Sequence, residues 1–358
     1  MSLHCIVMAA GKGTRLRSAR SKMLVPLDGR PLVCHVVEAA LGLEDSAVVV
    51  VVGHQGAQVQ RAIRQAFPGA PVRFVTQREQ RGTGHAVATA MRAVRGKAGD
   101  VLILSGDVPL IRRRTLSQLR RLRMRRGLDL ALLTMALEDP GRYGRVLREG
   151  RRVRQVVEFL DASEELRQVR EVNAGIYAVE LGFLRRSLRK LGSDNAQGEV
   201  YLTDLVALAD RGRGAQAQTC DPAEVQGVNT WAEQAALEQV VRRRIAERLM
   251  SRGVCLEAPE RLVVHSTVRV GPDTVLGPDV HLTGATRIGR GCRIENGAVL
   301  EDCRLGPRVR IRPYCVLRGV ALPADSDVGP QVVLSSRGKE ALPKGIHSYS
   351  PATGKRKD

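Results

Sequence analysis

A six-residue repeat in the last third of the chain constrains its fold more than any other feature. Aliphatic residues recur at every sixth position from Val264 to Leu300, and the pattern resumes after one-residue slips at Leu305 and Leu322. Small residues usually stand four positions beyond them, and glycine often follows directly, which would let the chain bend there. A strict period of six predicts a β-helix, a triangular prism of short strands with the aliphatic residues along its axis. About 18 residues per coil give about four coils.

The part before the repeat alternates apolar runs with helical patterns. Runs rich in Val, Ile and Leu predict strands at 3–9, 47–52, 72–75 and 101–104, and helical patterns between them cover 31–41, 57–67 and 82–94. Apolar strands that alternate with helices predict a mostly parallel sheet that is covered on both faces. Such sheets bind ligands beyond the carboxyl ends of their strands.

These patterns divide the chain into four parts. We expect an α/β domain over residues 1–230, a linking helix over 231–253 that ends in glycine, a β-helix over 254–334 and a loose basic tail over 335–358.

Charge and cysteine usage narrow the classes of function. The net charge of +20 suits acidic partners. The two most basic runs, 112–126 and 240–248, fit helices with solvated arginines, and no aromatic residue interleaves with them, which disfavours nucleic acid as a partner. Seven scattered cysteines without a CxxC pair disfavour a disulfide framework or a zinc site and favour a reducing cytoplasm. No apolar stretch reaches membrane-spanning length and no secretory signal begins the chain, so we expect a cytoplasmic protein without a membrane partner.

The segment AAGKGTRL at residues 9–16 directly follows the first predicted strand. Gly11 and Gly13 would let the backbone approach an anion, and Arg15 and Lys22 would add positive charge. Spacing alone leaves two interpretations open, a tight strand-to-helix turn or a phosphate-binding loop, because neither GxxxxGK[ST] nor a full GxGxxG is present. Several N–H groups and cations near one strand end suit a polyphosphate better than a single phosphate.

Eight segments occur in an order and at a spacing that point to one family. They are MAAGKGTRLRSARSKMLVPLDGRPLVCHV (8–36), QREQRGTGHA (77–86), LSGDVPLI (104–111), DPGRYGRV (139–146), VVEFLDA (156–162), EVNAGIYAV (171–179), NAQGEVYLTD (195–204) and GVNT (227–230). With the repeat that follows, the chain resembles the bifunctional N-acetylglucosamine-1-phosphate uridyltransferase/glucosamine-1-phosphate acetyltransferase family of sugar-1-phosphate nucleotidyltransferases. The resemblance covers about residues 3–334.

The resemblance implies the fold, the reaction and the cofactor. The fold would be an α/β Rossmann-like nucleotidyltransferase domain with a mostly parallel sheet, followed by a short left-handed parallel β-helix that forms a homotrimer. The sugar-1-phosphate would attack the α-phosphate of UTP, so that UDP-N-acetylglucosamine forms and pyrophosphate leaves. Such chemistry needs positioning and charge neutralisation. Asp107 and Asn229 match the family's Mg²⁺ ligands. Two protein ligands are enough for Mg²⁺, because this ion keeps several bound waters and also binds phosphate oxygens of the substrate.

The resemblance also assigns site residues. Arg15 and Lys22 match the catalytic cations. The positions that match the nucleotide site are Ala10, Gly11, Gly13, Gln77, Gly82 and Thr83. The positions that match the sugar site are Gly144, Glu158, Asn173, Tyr201 and Thr203. Taken by themselves, these residues have plainer interpretations as turn residues, helix caps, core asparagine or surface charge.

Departures from the family pattern lie on the sugar side. Ser105 stands where tyrosine is common, Ala174 stands where threonine is frequent, and Phe159 and Leu160 replace more polar residues. They leave open a nucleotidyltransferase for another hexose-1-phosphate or for dTTP. A third interpretation, from a different class, is a non-catalytic scaffold or nucleic-acid-binding protein.

The second activity of the family is expected to be missing. Arg318 resembles the first residue of the acetyltransferase site, but the matching lysine is absent from VVLSSRG (332–338). His347 and Tyr349 echo a histidine–tyrosine pair at the wrong spacing, and no further coils follow. The β-helix would then serve as a trimerisation module or scaffold.

Overall fold

A computed structural model of the protein describes residues 2–11 and 13–336 and divides the chain into two compact units after Gln234. Lys12 and the predicted tail beyond Ser336, with His347 and Tyr349, lie outside the described residues. None of the helices in the described ranges combines the length and the hydrophobicity that a membrane-spanning segment requires.

The first unit is built around a nine-stranded mixed sheet. The strands of this unit, nine in the sheet and two in a separate hairpin, are β1 Leu3–Ala9, β2 Pro26–Leu27, β3 Arg30–Pro31, β4 Ser46–Val52, β5 Val72–Thr76, β6 Asp100–Ser105, β7 Leu130–Ala136, β8 Arg145–Glu149, β9 Arg152–Val157, β10 Glu171–Glu180 and β11 Ala215–Thr219. The sheet order is β5-β4-β1-β6-β10-β7-β11-β9-β8, and β2 and β3 pair separately as a small hairpin. The four strands predicted from apolar runs are confirmed as β1, β4, β5 and β6, all mutually parallel.

Helices lie between these strands or follow the last of them. They are α1 Leu32–Leu41, α2 Gly56–Ala66, α3 Thr83–Ala90, α4 Arg113–Arg125, α5 Glu164–Arg167, α6 Leu181–Ser187, α7 Asp204–Asp210, α8 Pro222–Val225 and α9 Trp231–Met250, with 3-10 turns at Thr14–Leu16, Lys22–Leu24, Leu188–Lys190 and Pro259–Arg261. The predicted helices at 31–41, 57–67, 82–94 and 231–253 are thus found within a few residues. The arginine-rich run 112–126 forms α4, whose buried face includes Leu116 and Leu119.

The strand order creates a crevice between β1 and β6. From β1 the chain runs outward to β4 and β5 and then returns to β6, which pairs with the free side of β1. The chain therefore continues from β1 towards β4 on one side of this pair and from β6 towards β7 on the other, and the carboxyl ends of the two strands are the topological switch point where such sheets bind ligands. Residues 10–16 and 105–107 follow the two strand ends.

Alternating side chains of the central strands fill two separate cores. Cys5, Val7 and Ala9 of β1 face one core together with Leu102 and Leu104 of β6. Ile6 of β1 packs in the other core with Val101 and Ile103. Because both faces are buried, these strands are apolar at almost every position, which is why the sequence signals a parallel sheet.

The second unit contains the repeat as three parallel sheets. Its strands are β12 Cys255–Leu256, β13 Val263–Val264, β14 Arg269–Val270, β15 Val275–Leu276, β16 His281–Thr283, β17 Arg287–Ile288, β18 Arg293–Ile294, β19 Val299–Glu301, β20 Arg304–Leu305, β21 Arg310–Ile311, β22 Val316–Arg318, β23 Ala321–Leu322, β24 Asp327–Val328 and β25 Val333–Ser335. The sheets are β12-β15-β18-β21-β24, β13-β16-β19-β22-β25 and β14-β17-β20-β23. Each strand pairs with the strand three positions later, which lies in the next coil, as the predicted left-handed β-helix of hexapeptide repeats requires.

All thirteen repeating aliphatic residues lie in these strands. Ten are buried, and Val270, Leu322 and Leu334 are partly buried against the same core. Each one-residue slip is a shortened corner: five residues lead from Leu300 to Leu305, whereas six lead from Leu282 to Ile288. Paired strands are therefore 18 residues apart before the first slip and 17 apart where the chain between them includes a slip.

Glycine after the aliphatic residue has a different reason from the predicted bend. A Cβ on Gly289 would lie 2.6 Å from the backbone of Gly306 in the next coil, and one on Gly271 would lie 2.7 Å from the backbone of Arg290. The left-handed residues that turn the corners come two positions later, as at Asp273 and Gly291, with φ of 59° and 65°. The glycine is therefore needed for close packing of adjacent coils.

Polar groups repeat along the coils as well. The Thr274 hydroxyl donates to the Gly289 carbonyl at 3.0 Å, and the Cys292 thiol donates to the Gly306 carbonyl at 3.2 Å, so the small residues bond to the coil that follows. On the outside, arginine–carboxylate pairs link the coils: Arg261–Asp279, Arg290–Asp273, Arg293–Glu257, Arg308–Asp325, Arg310–Glu295, Arg312–Asp327 and Arg318–Glu301.

Candidate active site

A cavity of about 320 Å³ opens in the first unit at the carboxyl ends of β1 and β6. All ten residues assigned to catalysis, nucleotide or metal line it: Ala10, Gly11, Gly13, Arg15, Lys22, Gln77, Gly82, Thr83, Asp107 and Asn229. They come from four separate parts of the chain, so their convergence on one cavity is a property of the fold. Their individual roles stay predictions.

Lys22 lies at the centre of the polar contacts in this cavity. Its Nζ is 2.5 Å from Asp107 Oδ2 and 2.9 Å from Asn229 Oδ1. An Arg15 guanidinium nitrogen donates to the same Asn229 oxygen at 2.7 Å. The Lys22 side chain is only 11% exposed and that of Asp107 17%, so this charge pair is shielded from solvent on most sides. Two cationic side chains and two oxygen acceptors thus meet at one point.

Local backbone features hold Lys22 in place. Gly13 has φ of 64°, and a Cβ there would lie 2.6 Å from the Lys22 Cβ, so only glycine leaves room for the lysine stem. The preceding Ser21 N–H donates to the Gln55 side-chain oxygen at 2.7 Å. The glycine loop and Lys22, which both follow the first strand, are therefore packed against each other.

Asp107 and Asn229 are joined by backbone as well as by Lys22. The Val228 N–H donates to the Asp107 carbonyl at 3.0 Å, which fixes the segment before Asn229 against the end of β6. A capping box begins α9 directly afterwards: the Glu233 carboxylate accepts from the Thr230 N–H at 2.8 Å, and the Thr230 hydroxyl accepts from the Glu233 N–H at 3.2 Å. Glu233 also accepts from the Asn229 N–H at 2.6 Å.

The two oxygen ligands fit a magnesium ion. Asp107 and Asn229 aim their oxygens at one point, where Lys22 now supplies the positive charge. A carboxylate and an amide carbonyl leave the remaining positions for water and phosphate oxygens, which is the way Mg²⁺ usually binds beside nucleotides. Nowhere in the described ranges do three or more His, Cys, Asp or Glu residues come together as a metal site.

The predicted sugar residues form a second cluster outside the cavity lining. The Thr203 hydroxyl donates to the Glu158 carboxylate at 3.1 Å, and a Cβ on Gly144 would lie 3.4 Å from Glu158 Oε2. Burial raises the pKa of Glu158, the Thr203 bond opposes this, and the neighbouring carboxylates of Asp161 and Asp204 raise the pKa further. Tyr201, at 8% exposure, precedes this threonine by two residues.

Thr83 connects the cluster with the cavity. Its hydroxyl accepts from the Leu202 N–H at 3.0 Å, between Tyr201 and Thr203. The Gly84 N–H donates to the Val200 carbonyl at 2.8 Å, and a Cβ on Gly82 would lie 2.6 Å from that carbonyl oxygen. The loop before α3 and segment 199–203 are therefore closely packed.

The side chain of Asn173 is bonded within its own strand. Its amide nitrogen donates to the Tyr177 hydroxyl at 2.7 Å, and its amide oxygen accepts from the Gly175 N–H at 3.0 Å. These bonds span the register shift between Asn173 and Tyr177 in the pairing of β10 with β7. Its backbone N–H donates to the Gly144 carbonyl at 2.9 Å, and its amide keeps a second hydrogen and a second lone pair, so its role in sugar binding stays a prediction.

Phe159, one of the departures from the family pattern, has a packing role. The guanidinium carbons of Arg142, Arg145 and Arg167 lie 5.7, 5.4 and 4.6 Å from its ring centroid. Arg145 is almost fully buried and donates to the Gly141 and Arg167 carbonyls. The aromatic ring therefore stacks among cations, as an electron-rich face favours.

Sequence reasoning missed several residues of the cavity wall. Gln80 donates to the Ala10 carbonyl at 2.6 Å and so fixes the glycine loop, but a lone polar residue in a loop carries no signal by itself. The other lining residues without a predicted role are Met8, Thr14, Met23, Ala86, Ser105 and Glu199. Ser105 is one of the departures from the family pattern, and Glu199 lies within the family-like segment 195–204.

Comparisons with known proteins agree with this architecture. A model of the MobA-like NTP transferase domain matches residues 5–176, and a model of the bacterial transferase hexapeptide (six repeats) matches residues 267–302. A solved structure of UDP-glucose pyrophosphorylase complexed with UDP-glucose shares the fold with a TM-score of 0.52 at 18% identity, over 68% of this chain and 100% of that one.

Curated relatives extend the similarity over both units. The bifunctional protein GlmU of Anaeromyxobacter sp. (strain Fw109-5) is 46% identical over 330 residues, 92% of this chain and 67% of that protein. The GlmU proteins of Pelobacter propionicus and Thermus thermophilus are 46% and 43% identical over 93% and 91% of this chain, and 72% and 71% of theirs. The chain therefore belongs to the family of the bifunctional protein GlmU, with a nucleotidyltransferase domain and a hexapeptide-repeat β-helix.

Proposed function

We propose that the first unit is a Mg²⁺-dependent uridyltransferase that makes UDP-N-acetylglucosamine and pyrophosphate from UTP and N-acetylglucosamine-1-phosphate. A phosphate oxygen of the sugar phosphate attacks the α-phosphorus of UTP, the bond from that phosphorus to the bridging oxygen breaks, and pyrophosphate carries the electron pair away. The observation that carries the proposal is the contact of Lys22 Nζ with both Asp107 and Asn229 in a cavity that Gln77 also lines.

The residues of the cavity would act by binding and by neutralising charge. Backbone N–H groups beside Gly11 and Gly13 and the Arg15 guanidinium would hold the triphosphate. Lys22, which is shielded from solvent, would stabilise the negative charge that grows on the transferred phosphate. Asp107 and Asn229 would hold Mg²⁺, which when bound screens the repulsion between the two anionic substrates. No side chain has to form a covalent intermediate, because in-line displacement needs positioning above all.

The sugar would be bound by the second cluster. Glu158 and Thr203 offer an acceptor and a hydroxyl to sugar hydroxyl groups, and Gly144 leaves room beside the carboxylate. Of the departures from the family pattern, Ser105 lines the cavity and Ala174 directly follows Asn173, so another hexose-1-phosphate, or dTTP in place of UTP, is the second candidate. A panel of sugar phosphates and nucleotides separates these substrates by their rates of pyrophosphate release.

The decisive experiment measures pyrophosphate release from UTP and N-acetylglucosamine-1-phosphate with magnesium present. We expect turnover by the wild type and a loss on the order of 100-fold or more in Asp107→Ala, with folding and oligomeric state retained. Asp194→Ala removes an exposed carboxylate of the same unit and is the matched control. Full activity of Asp107→Ala would contradict its metal role. No nucleotide uptake by the magnesium-loaded wild type in calorimetry would contradict the whole proposal and favour the scaffold alternative, which salt-dependent DNA binding would support.

The remaining parts of the proposal concern the β-helix and the compartment. We expect a homotrimer, which sedimentation measures directly, and a reducing cytoplasm, which agrees with the seven cysteines all being free thiols. Acetyl transfer is predicted to be absent. Arg318, the residue that resembles part of that site, lies 3.4 Å from Glu301 of the adjacent coil. Thiol release from acetyl-CoA with glucosamine-1-phosphate would contradict this prediction.

A further inference from the structure

Gln77 and His85 meet at the edge of the cavity. Gln77 follows β5, is 4% exposed, and its backbone N–H donates to the Val52 carbonyl at 2.8 Å. His85 lies in the first turn of α3, three residues after Gly82. Gln77 lines the cavity beside Gly82 and Thr83. The Gln77 side chain is therefore held in the wall of the cavity between β5 and the start of α3.

The contacts of Gln77 identify which end of its amide faces the protein. Gln77 Nε2 lies 3.2 Å from the Gly82 carbonyl oxygen and 3.1 Å from His85 Nδ1. A carbonyl oxygen can only accept, so the amide atom beside it has to be the nitrogen. The second hydrogen of that nitrogen then points at Nδ1, which accepts it only if Nδ1 is unprotonated and Nε2 carries the ring hydrogen.

Both amide hydrogens of Gln77 are thus used, and its oxygen is the group left for a ligand. Rotating the amide by half a turn would set its oxygen against the Gly82 carbonyl and the lone pair of Nδ1, two repulsive contacts in a buried position. Such mismatched groups are costly because burial of the Gln77 side chain limits their solvation. The protein therefore presents a fixed acceptor at this point of the cavity.

We propose that His85 is a positioning residue that fixes the Gln77 amide so that its oxygen faces the nucleobase. The cavity then selects a base that offers an N–H donor at N3, as uracil and thymine do, over cytosine, whose N3 is an acceptor. This inference rests on the proposed function, because it assumes that a nucleoside triphosphate binds in the cavity with its base at Gln77. The selectivity follows from leaving a buried acceptor unpaired, or facing a second acceptor, when the wrong base binds.

The first test compares the affinities for UTP and CTP in the presence of magnesium. The wild type should prefer UTP. His85→Phe keeps a ring but removes the acceptor, so we expect the UTP-over-CTP preference to fall on the order of tenfold, the value of one hydrogen bond. His85→Asn restores an acceptor and should recover part of the preference. His281→Phe, the same substitution at an exposed histidine of β16, is the control and should leave the preference unchanged.

The second test needs no variant. Nitrogen NMR of the histidine-labelled wild type reports the tautomer, and the inference requires the hydrogen of His85 on Nε2. A hydrogen on Nδ1, an equal affinity for UTP and CTP, or an unchanged preference in His85→Phe would each overturn the inference. If the wild type binds no nucleoside triphosphate at all, the proposed function fails and the selectivity inference falls with it, whereas a hydrogen on Nδ1 would overturn the bond from Gln77 to His85 even if nucleotide binds.

Discussion

In the β-helix each stabilising contact is repeated at successive coils, whereas in the amino-terminal cavity each polar contact occurs once. Thr274 and Cys292 make the same bond to the following coil, one coil apart, and seven arginine–carboxylate pairs link the coils. By contrast, Lys22 has two partners, Asp107 and Asn229, and no second residue among those described stands in its place.

Repeated and unique contacts should respond differently to substitution. A repeated contact distributes stability over many coils, because each coil contacts only its neighbours. A single contact at a reacting centre contributes little to folding but cannot be replaced in the reaction. Substitutions in the cavity should therefore change turnover, and substitutions in the β-helix should change stability.

The largest effect should come from Lys22→Met, which keeps the stem that packs on Gly13 and removes the charge. We expect turnover to fall on the order of 100-fold or more, because the shielded ammonium is lost from the site of charge development. Steady-state pyrophosphate release gives the value. Arg287→Met, at an exposed arginine of β17, is the control and should retain turnover. If the turnover of Lys22→Met lay within tenfold of the wild type, the unique contacts of the cavity would be no more important for the reaction than a repeated contact of the β-helix.

The same difference decides how much the sequence could predict. The β-helix could be predicted almost coil by coil, because one coil spans only 17–18 residues and each hexapeptide carries the same pattern. The crevice could also be predicted, since apolar strands alternating with helices imply a parallel sheet. Contacts in the cavity join residues 85, 207 and 214 positions apart, so only a family resemblance could bring them together.

Other features could not be predicted because they depend on the packing of distant segments. The bond of Gln77 to His85 needs the turn before α3, and the bond of Gln80 to the glycine loop needs β1 and β5 to share a sheet. In the β-helix, glycine often follows the aliphatic residue, as the sequence shows, but the reason predicted for it, a bend of the chain, is wrong. The crowding of Gly289 by the next coil is visible only when the coils are stacked.

A smaller effect is expected from filling this crowded position. Gly289→Ala would force a Cβ to within 2.6 Å of the Gly306 backbone, so we expect a loss of about 1–3 kcal/mol in the free energy of unfolding of the β-helix. Gly329 follows Val328 in the same way, and a Cβ there would meet no described atom within 4 Å, so Gly329→Ala is the matched control. Chemical denaturation of both variants measures the difference. Equal losses would show that the coils are not in close contact at this position.

A still smaller effect should appear in the pH dependence of stability at Glu158. Burial raises the pKa of this carboxyl, so the folded protein binds its proton more tightly than the unfolded chain does. Ionisation therefore costs stability as pH rises from the ordinary carboxyl range, about 4, through the raised value. Glu158→Gln removes this cost, and we expect it to melt above the wild type at neutral pH, with the gap closing on acidification. A gap that is constant with pH would contradict the shift.

The smallest effect is predicted for the arginine–carboxylate pairs between coils. Arg308 approaches Asp325 with two bonds of 2.7 and 2.8 Å, the hydrogen bond holds the pKa of Asp325 below its usual range, and both side chains are largely exposed. Water and salt screen such pairs, so Arg308→Gln should leave the melting temperature unchanged at physiological ionic strength. A clear loss that disappears in high salt would mean that the pairs act as a coupled ladder. A repeated contact would then carry as much weight as a unique one, because each coil would depend on the charges of its neighbours.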